Sequence, residues 1–430
     1  MSDTPNIGFV RHEPIPPSPP PVQQAGVVKW VRENLFSNWV NSILTILSIY
    51  FVVKIILAST PWMWNGVWTT SSLRECREVL QGTSGACWSV LTERWNQMLF
   101  GFQYPVEAYW RPTLAFVLLL VCIAPVLFQK LPRKMLIFSA IYPFLAFWLI
   151  WGGTLLTPVI VGLSLIAGYV AFVKTERLIG FATGLLSGVV AVALVLYLGS
   201  FVTAALSGFI ALEPVASRDM GGFMLNLILG TVCVSLSIPL GIVLALGRQS
   251  NMPIIKGICV VFIEFIRGVP LITLLFVANV VLSYFFPPGT NLDLILRVII
   301  MITLFSAAYI AEVIRGGLAA LPRGQYEAAD SLGLDYPQAM RLIILPQALK
   351  ISIPGIVNVA VGLFKDTTLV SVISMFDLVG MIRGPISSST AWTGIYWELY
   401  LFAILLFFVV CYGISQYSQW LERQLRTDHH

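Results

Sequence analysis

A lysine and an aspartate stand side by side deep inside one apolar stretch of this sequence. If a helix enters a bilayer near residue 352, Lys365 and Asp366 lie roughly 17 Å inside it. Charges at that depth are costly and usually mark a pathway or an ion pair. An ammonium beside a carboxylate could bind the carboxylate and the ammonium of a zwitterionic solute. The two side chains could equally neutralise each other, or a partner chain, as scaffold, and the residues alone leave both interpretations open.

Small and polar neighbours complete this candidate binding site. Asn358 and Gly362 share a helix face with Lys365, at spacings of four and three residues. Asp366, with the two threonines that follow it, could cap a second half-helix and so break the span at the bilayer midplane, as transporters often do. The predicted solute-binding residues are Asn358, Gly362, Lys365, Asp366, Thr367 and Thr368.

Two further acid–base pairs stand near the ends of neighbouring apolar runs. Glu312 and Arg315 are three residues apart, as are Glu264 and Arg267, so each pair could meet on one helix face. The stretch Arg267–Pro270 is a natural helix break. We interpret both pairs as inner-side structure or as a gate rather than as solute ligands.

The sequence does not support catalysis or a metal site. His12 is the only histidine before the terminal pair His429 and His430, and neither GxSxG nor HExxH occurs. Cys76 and Cys87 lie in a polar loop, where a disulfide would act as a structural staple if that loop faces an oxidising compartment. The other cysteines stand singly in apolar surroundings and are expected to be packing residues.

The composition indicates what kind of fold must position these residues. The 430 residues are 57% hydrophobic and 11% charged, with a mean hydropathy of +0.84. Soluble domains carry about 25% charged residues. We therefore predict an all-α, polytopic membrane protein with about ten spans. The predicted spans cover approximately residues 39–58, 112–128, 135–151, 155–173, 179–200, 222–247, 270–286, 294–314, 352–373 and 395–418.

The positions of basic residues predict the orientation. The connectors Lys130–Lys134 and Lys174–Arg177 are basic, whereas Gly152–Thr154 is uncharged, which places both termini on the cytoplasmic side. Scattered basic residues of this kind do not indicate nucleic-acid binding. Three predicted regions follow from the chain's organisation. They are a disordered, Pro-rich cytoplasmic tail (1–28), a five-span extension (29–215) with a periplasmic loop (59–111), and a compact five-span core (216–425).

A polar segment at 319–350 separates two spans of the core on the inner side. Small side chains at its start would let a helix seat closely against a partner, and Gly333 would end that helix in a left-handed cap. Pro346 would end a second helix, giving a helix-turn-helix parallel to the membrane. The alternative is an ordinary amphipathic linker. The pattern is defined by Glu327, Ala328, Ala329, Gly333, Ile343, Leu345 and Pro346.

This segment resembles the EAA loop of importer-type ABC permeases, which docks on an ATPase subunit. Ile266–Pro270, Ala308–Gly317 and Phe364–Ser371 resemble the polar-amino-acid permease family, the branch that includes histidine and glutamine importers, over residues 222–425. The N-terminal extension is similar to that of the longer permease subunit of general L-amino-acid importers of alphaproteobacteria.

The resemblance implies a function, partners and a location. It implies the transmembrane subunit of an ATP-driven importer that moves L-amino acids across the bacterial inner membrane by alternating access. The dipeptide Gly-Lys never occurs, so the chain lacks a phosphate-binding P-loop. ATP and Mg²⁺ would then bind an ABC ATPase homodimer, and this chain would bind no cofactor itself and would not be an enzyme. The other implied partners are a second, non-identical permease, a periplasmic amino-acid-binding protein and membrane lipid.

Two other function classes compete with this interpretation. An ion-coupled secondary transporter would need no ATPase, and the EAA pattern argues against it. A membrane-embedded enzyme would need clustered polar residues in several spans, whereas one main cluster is present. Asp377, Arg383 and Ser387–Ser389 follow the charged span and could face a binding protein or form only a solvated loop.

Overall fold

The computed structural model describes residues 26–128, 130–281, 284 and 292–425. The predicted Pro-rich tail up to residue 25, with His12, and the terminal pair His429 and His430 lie outside the described residues. The first helix begins at Gly26, so the last three residues of the predicted disordered tail are helical instead.

Helices account for most of the described residues, as the apolar runs predict. The first group comprises α1 (Gly26–Asn34), α2 (Trp39–Trp64), α3 (Leu73–Leu80), α4 (Ser89–Phe100), α5 (Trp110–Leu127), α6 (Leu136–Trp151), α7 (Leu156–Ile179) and α8 (Phe181–Ala205). The second group comprises α9 (Gly222–Gln249), α10 (Pro253–Gly268), α11 (Leu271–Phe276), α12 (Leu294–Ala319), α13 (Arg323–Ser331), α14 (Tyr336–Ala339), α15 (Leu345–Asp366), α16 (Leu378–Met381) and α17 (Trp397–Leu425).

Short irregular helices connect several of these elements within the described part of the chain. Four are 3₁₀ segments, at Val106–Ala108, Arg133–Met135, Ser217–Asp219 and Thr367–Ile373. Three are π-helical segments, at Val277–Val281, Met340–Ile344 and Ile382–Ile386. π-helical turns are rare and are often found at functional sites. Met340–Ile344 directly precedes α15, and Ile382–Ile386 directly follows α16.

Nine helical segments of the described chain are long and apolar enough to cross a membrane. The number reaches ten if α10 and the helix from Leu271 to Val281, which meet at 103°, form one broken span. This agrees with the predicted break before Pro270 and confirms the all-α polytopic fold. The predicted seventh span, 270–286, is described only to Val281 and at Tyr284.

A two-stranded sheet joins two of the connectors. β1 (Gly153–Thr154) pairs antiparallel with β2 (Ala211–Leu212), with Gly153 opposite Leu212. The Thr154 hydroxyl also donates to the Phe209 carbonyl at 3.0 Å. Both connectors therefore lie at the same end of the α7–α8 hairpin, which is consistent with the predicted alternation of sides.

The chain divides into two compact units. One unit consists of the described residues up to Val67 together with Arg77–Cys87. Within it, Asn38 caps α2 by accepting the Asn41 N–H at 2.8 Å, and no residue of α2 is buried. The second unit contains Trp68–Cys76 and the described residues from Trp88 onwards.

A hydrophobic cluster in the second unit joins the extension to the core. Phe100, Tyr104 and Ile150 pack there with Met224 and Leu229 of α9. The Tyr104 hydroxyl donates to the Ile150 carbonyl at 3.0 Å, which satisfies its polar end inside the cluster. The predicted boundary at residue 215 therefore falls within one packed unit.

A second cluster lies near the C-terminal ends of α9 and α12. It contains Ile263 of α10, Ile310 and Ile314 of α12, and Ile344 of the π-segment before α15. Gly241 permits the close approach of α9 and α12, because a Cβ there would lie 2.6 Å from Ile310 Cγ2. This cluster is the packed base for the segment that the sequence predicts to dock on a partner.

Candidate functional site

The segment from α13 to α14 forms an exposed elbow at the end of α12. Glu327 and Ala328 are exposed, whereas Ala329 is fully buried. Gly333 ends α13 with a φ of +72°, in the left-handed region. The Gly333 N–H donates to the Asp330 carbonyl at 2.9 Å, and the Leu334 N–H donates to the Ala329 carbonyl at 3.2 Å. This is the Schellman pattern, which fixes the direction of the turn.

A capping box fixes the start of α14 on the other side of the elbow. The Gln338 N–H donates to Asp335 Oδ1 at 2.9 Å, and the Gln338 side chain accepts the Asp335 N–H at 3.4 Å. Pro337 lies in the first turn, where its missing N–H costs nothing. Both arms of the elbow therefore have their backbone ends satisfied locally.

The prediction that Pro346 ends the second helix is wrong. Pro346 lies in the first turn of α15, and the helix continues from Tyr336 to Ile373 as one span of 38 residues. The π-turn Met340–Ile344 widens the helix just before the proline. A wider turn relieves the clash between a proline ring and the carbonyl four residues earlier. Ile343 and Leu345 are half-buried on this stretch.

Five charged side chains meet where α9, α10 and α12 end beside the elbow. Glu312 lies at the centre of this ion cluster, and its two carboxylate oxygens contact three arginines. The distances are 2.5 Å to Arg315 Nη2, 3.4 Å to Arg248 Nη1 and 3.7 Å to Arg267 Nη1. The cluster therefore ties the ends of three helices together, and Glu264 is its fifth member.

The predicted pair of Glu312 and Arg315 forms, but the predicted pair of Glu264 and Arg267 does not. Glu264 contacts Arg248 at 2.8 Å, while Arg267 turns towards Glu312 and lies 5.5 Å from the centre of the Tyr309 ring. Arg248 at the end of α9 supplies a closer partner than the residue one turn along α10. The cation over the aromatic face adds a favourable contact for Arg267.

The predicted solute-binding residues on α15 present an accessible face. Lys365 and Asn358 are exposed, and Asp366 is half-buried. A Cβ added at Gly362 would meet no atom within 4 Å, so space is open beside the helix there. Neither Lys365 nor Asp366 forms an ion pair with another described residue.

The predicted break of this span at Asp366–Thr368 does not occur. The Thr367 and Thr368 hydroxyls donate back to the carbonyls of Phe364 and Lys365, at 2.7 and 2.8 Å. A cap would instead accept N–H groups of a following helix, and Asp366 makes no such cap. The helix tightens into the 3₁₀ segment Thr367–Ile373 and continues.

Thr367 belongs to a buried polar network rather than to the accessible face. Its hydroxyl accepts from Asn226 Nδ2 at 2.9 Å, and the same amide donates to Asp377 Oδ2 at 3.2 Å. Asn226 Oδ1 accepts the Leu378 N–H at 3.2 Å. Asn226, Thr367 and Asp377 are all fully buried, so the network joins α9 to the start of the 3₁₀ segment and to the start of α16.

Asp377 is the ionisable member of this network. Burial raises its pKa from 3.8 to about 6. The hydrogen bonds from Gly380, Asn226 and Val379 and the nearby charge of Arg383 lower the pKa and partly offset the effect of burial. The Gly380 and Val379 N–H groups donate at 2.9 and 3.2 Å, so Asp377 also caps α16. Asp377 was expected either to face a binding protein or to lie in a solvated loop, whereas its carboxyl is fully buried in the structure.

Comparison with known proteins identifies the family. The chain is 52% identical, over the full length of both chains, to the glutamate/glutamine/aspartate/asparagine transport system permease protein BztC of Rhodobacter capsulatus. It is 38% identical to the inner membrane amino-acid ABC transporter permease protein YhdY of Escherichia coli, over 96% of each chain. The chain belongs to the polar-amino-acid ABC transporter permease family. The predicted resemblance is thereby confirmed.

A family model covers the part of the chain that contains these clusters. The family described as "binding-protein-dependent transport system inner membrane component" matches residues 237–427, which contain the elbow, the ion cluster and the charged residues of α15. A probable glutamine ABC transporter permease protein of Bacillus subtilis, GlnP, is 32% identical over 47% of this chain and 90% of its own length. A much shorter permease therefore corresponds to about half of this one.

Membership of the family fixes the general role of the permease. It is a multi-pass membrane protein and a transport subunit, not an enzyme, and ATP hydrolysis belongs to a separate chain. Permeases of this family work with an ATPase, a second permease and a substrate-binding protein.

Cys76 and Cys87, the predicted staple of the permease extension, are both disulfide-bonded in the structure. The remaining cysteines, Cys122, Cys233, Cys259 and Cys411, are free. Cys233 is fully buried. The buried position of this thiol agrees with the packing role predicted for the single cysteines.

Sequence reasoning missed three residues of the permease. Arg248 completes the ion cluster, Asn226 organises the buried network, and the Tyr400 hydroxyl accepts from Arg383 Nε at 3.2 Å. Asn226 carried the clearest signal, since a lone asparagine near the start of an apolar span is costly unless its amide is satisfied. Its partners are about 140 residues or more away in sequence and could not be assigned from spacing.

Proposed function

We propose that this permease imports acidic amino acids and their amides across the bacterial inner membrane by alternating access. Its full-length similarity to a permease named for glutamate, glutamine, aspartate and asparagine supports this substrate class. The observation that carries the mechanism is the uninterrupted helix from Tyr336 to Ile373, which begins in the exposed elbow and contains Lys365 and Asp366.

This helix connects the elbow directly to the accessible face of α15, which carries Lys365. The elbow is exposed at Glu327 and Ala328, where a partner can grip it, and its turn is fixed by the left-handed Gly333. Packed helices respond to force as units rather than by bending gradually. Movement of the elbow would therefore shift or rotate α15 and change the exposure of Lys365.

The exposed elbow and the accessible face of α15 each suit a partner protein. An ABC ATPase homodimer, which would hold ATP and Mg²⁺, grips the elbow on the cytoplasmic side, where both termini of the permease also lie. A second, non-identical permease covers the accessible face of α15. A periplasmic binding protein delivers the amino acid at the opposite end. The chain itself holds no cofactor in this scheme.

The solute-binding site is proposed on the accessible face of α15. Lys365 binds the solute carboxylate and Asp366 its ammonium, since each charge is otherwise unpaired among the described residues. Asn358 and the open space beside Gly362 line the same approach, and Thr368 lies next to it. Thr367 serves instead as the buried support of this site.

Reconstitution of the full complex tests the proposal. Proteoliposomes that contain this permease, its sister permease, the ATPase and the binding protein should take up radiolabelled glutamate and glutamine only when ATP is present. Vesicles that contain this chain alone should show no uptake under an imposed ion gradient. Clear gradient-driven uptake without ATP would instead establish an ion-coupled secondary transporter.

A substitution at the elbow should uncouple ATP hydrolysis from transport. Gly333→Val would place a β-branched residue at φ +72°, which costs about 1–2 kcal/mol in the left-handed region. Space is not the obstacle, because a Cβ there meets nothing within 4 Å. We expect ATP hydrolysis to persist while uptake falls by about five- to thirtyfold, the factor that corresponds to a cost of about 1–2 kcal/mol in the coupled conformation.

Gly333→Asn is the matched control for the elbow, because asparagine tolerates the left-handed region. It should keep most of the uptake in the same proteoliposomes. Normal uptake by Gly333→Val, with a correctly inserted chain, would contradict the docking role.

Asp366→Asn should weaken recognition of the solute ammonium. The substitution keeps the size of the side chain and removes the charge, and a hydrogen bond to a charged group contributes about 1.5–3 kcal/mol. We expect the KM for uptake to rise at least about tenfold. Unchanged affinity and uptake would favour the scaffold interpretation of Lys365 and Asp366.

A further inference from the structure

An exposed arginine lies at the far end of α17 from the elbow. Arg383 belongs to the π-segment Ile382–Ile386, and its Nε donates to the Tyr400 hydroxyl at 3.2 Å. Tyr400 lies in the first turn of α17. The contact uses one of the five N–H donors of the guanidinium. The other donors remain available on an exposed side chain.

Arg383 and Phe364, the residue before Lys365, contact the same face of α17. Phe364, next to Lys365, packs on Phe407 with 5.3 Å between the ring centres. The seven residues from Tyr400 to Phe407 make nearly two helical turns, so these two residues share a face. At 1.5 Å per residue, Tyr400 and Phe407 are separated by roughly 10 Å along the axis of α17.

No carboxylate of the described chain neutralises either cation by direct contact. The Asp377 carboxyl lies near enough to Arg383 to interact with its charge, but it is buried and already accepts from Gly380, Val379 and Asn226. Asp366 stands beside Lys365 in the chain without pairing with it. Arg383 at the outer end of this face is therefore an exposed cation that is open to an incoming anion.

We propose that Arg383, oriented by Tyr400, is an outer carboxylate-binding residue that favours amino acids with an anionic side chain over their neutral amides. The inference rests on the proposed function and deepens it. Glutamate and glutamine have nearly the same shape and differ by one negative charge, so a solvent-accessible guanidinium discriminates between them by charge. A solute passes from Arg383, at the Tyr400 end of α17, inwards to Lys365.

The test measures the ratio of glutamate to glutamine uptake in proteoliposomes that contain the full complex, at low salt and subsaturating substrate. Arg383→Gln should lower this ratio about five- to tenfold, mainly through lost glutamate uptake, which is the effect of losing one partly solvated charge contact. Arg383→Lys should keep most of the ratio. Tyr400→Phe, which retains the charge and removes its anchor, should lower the ratio by a smaller factor.

Arg423→Gln is the matched control, because Arg423 is an exposed arginine at the other end of α17 and should leave the ratio unchanged. Added salt should also reduce the wild-type ratio, since screening weakens exposed charge contacts. An equal fall of glutamate and glutamine uptake in Arg383→Gln would overturn the proposal in favour of protein docking or a fold role, and an unchanged ratio would also overturn it. If the wild-type complex carries neither amino acid, the proposed function itself fails.

Discussion

Glu312→Gln is expected to destabilise the permease and to reduce uptake more than any other single change in the ion cluster. Glu312 is the shared partner of Arg248, Arg267 and Arg315, and its side chain is only 21% exposed. Without its charge, three arginines at one place would share the single carboxylate of Glu264. Breaking a buried ion pair costs about 3–5 kcal/mol, and partial solvation reduces this to about 2–3 kcal/mol here.

The expected loss is measurable as a lower midpoint of thermal unfolding in detergent, by roughly 2–3 °C, together with lower ATP-driven uptake. Glu264→Gln is the matched control, because Glu264 contacts only Arg248 and its side chain is 53% exposed. It should shift the midpoint by about 1 °C at most. Equal effects of the two substitutions would show that the cluster is a solvated surface without a structural centre.

The elbow could be predicted from the sequence because its signals are local. Gly333 favours a left-handed cap, and Asp335 with Gln338 forms a capping box across three residues. The spans were predictable for a similar reason, since hydropathy is a property of a continuous stretch. In both cases the deciding interactions join residues within a few positions of each other.

The continuity of the helix after the elbow could not be read in the same way. Proline usually breaks a helix, and threonine often caps one, yet the helix continues through Pro346, Thr367 and Thr368. The π-turn Met340–Ile344 accommodates the proline, and packing against Asn226 holds Thr367. Tertiary packing therefore overrides the local preference, which is why the structure has one continuous helix instead of two half-helices.

Partner choice within the polar clusters was also beyond the sequence. Spacing predicts that Glu264 could reach Arg267, but it does not reveal that Arg248 on another helix lies closer. The same holds for Arg383, whose partner Tyr400 lies 17 residues along the chain. A one-dimensional pattern identifies which charges need a partner, whereas the packing of helices decides which partner they find.

Asn226→Leu is expected to give the largest loss of stability outside the ion cluster. Leucine has a similar volume but would leave the Leu378 N–H without its acceptor and Asp377 Oδ2 without the amide donor. Thr367 would lose the same donor inside a fully buried site. Each unsatisfied buried group costs about 1–3 kcal/mol, so the free energy of unfolding should fall by about 3 kcal/mol or more.

The pH dependence of this loss distinguishes the network from simple packing. Burial already raises the Asp377 pKa to about 6, so the stabilising effect of its proton is complete below the ordinary value of 3.8 and is lost as the pH rises through 6. Removing the Asn226 amide removes a hydrogen bond that lowers the Asp377 pKa, so the pKa rises further. The stabilising effect of the Asp377 proton is then lost at a higher pH than in the wild type. The unfolding midpoint of Asn226→Leu should therefore lie closer to the wild-type midpoint at about pH 5 than at about pH 8.

Ser235→Leu provides the comparison on the same helix, because Ser235 is exposed and its hydroxyl donates only to the Thr231 carbonyl four residues earlier. Its midpoint should follow the wild type at both pH values. If the unfolding midpoint of Asn226→Leu were lower than that of the wild type by the same amount at both pH values, the Asn226 amide would not affect the ionisation of Asp377. The destabilisation would then come from packing alone, and the buried network would not be what holds α9 to the end of the helix from Tyr336 to Ile373.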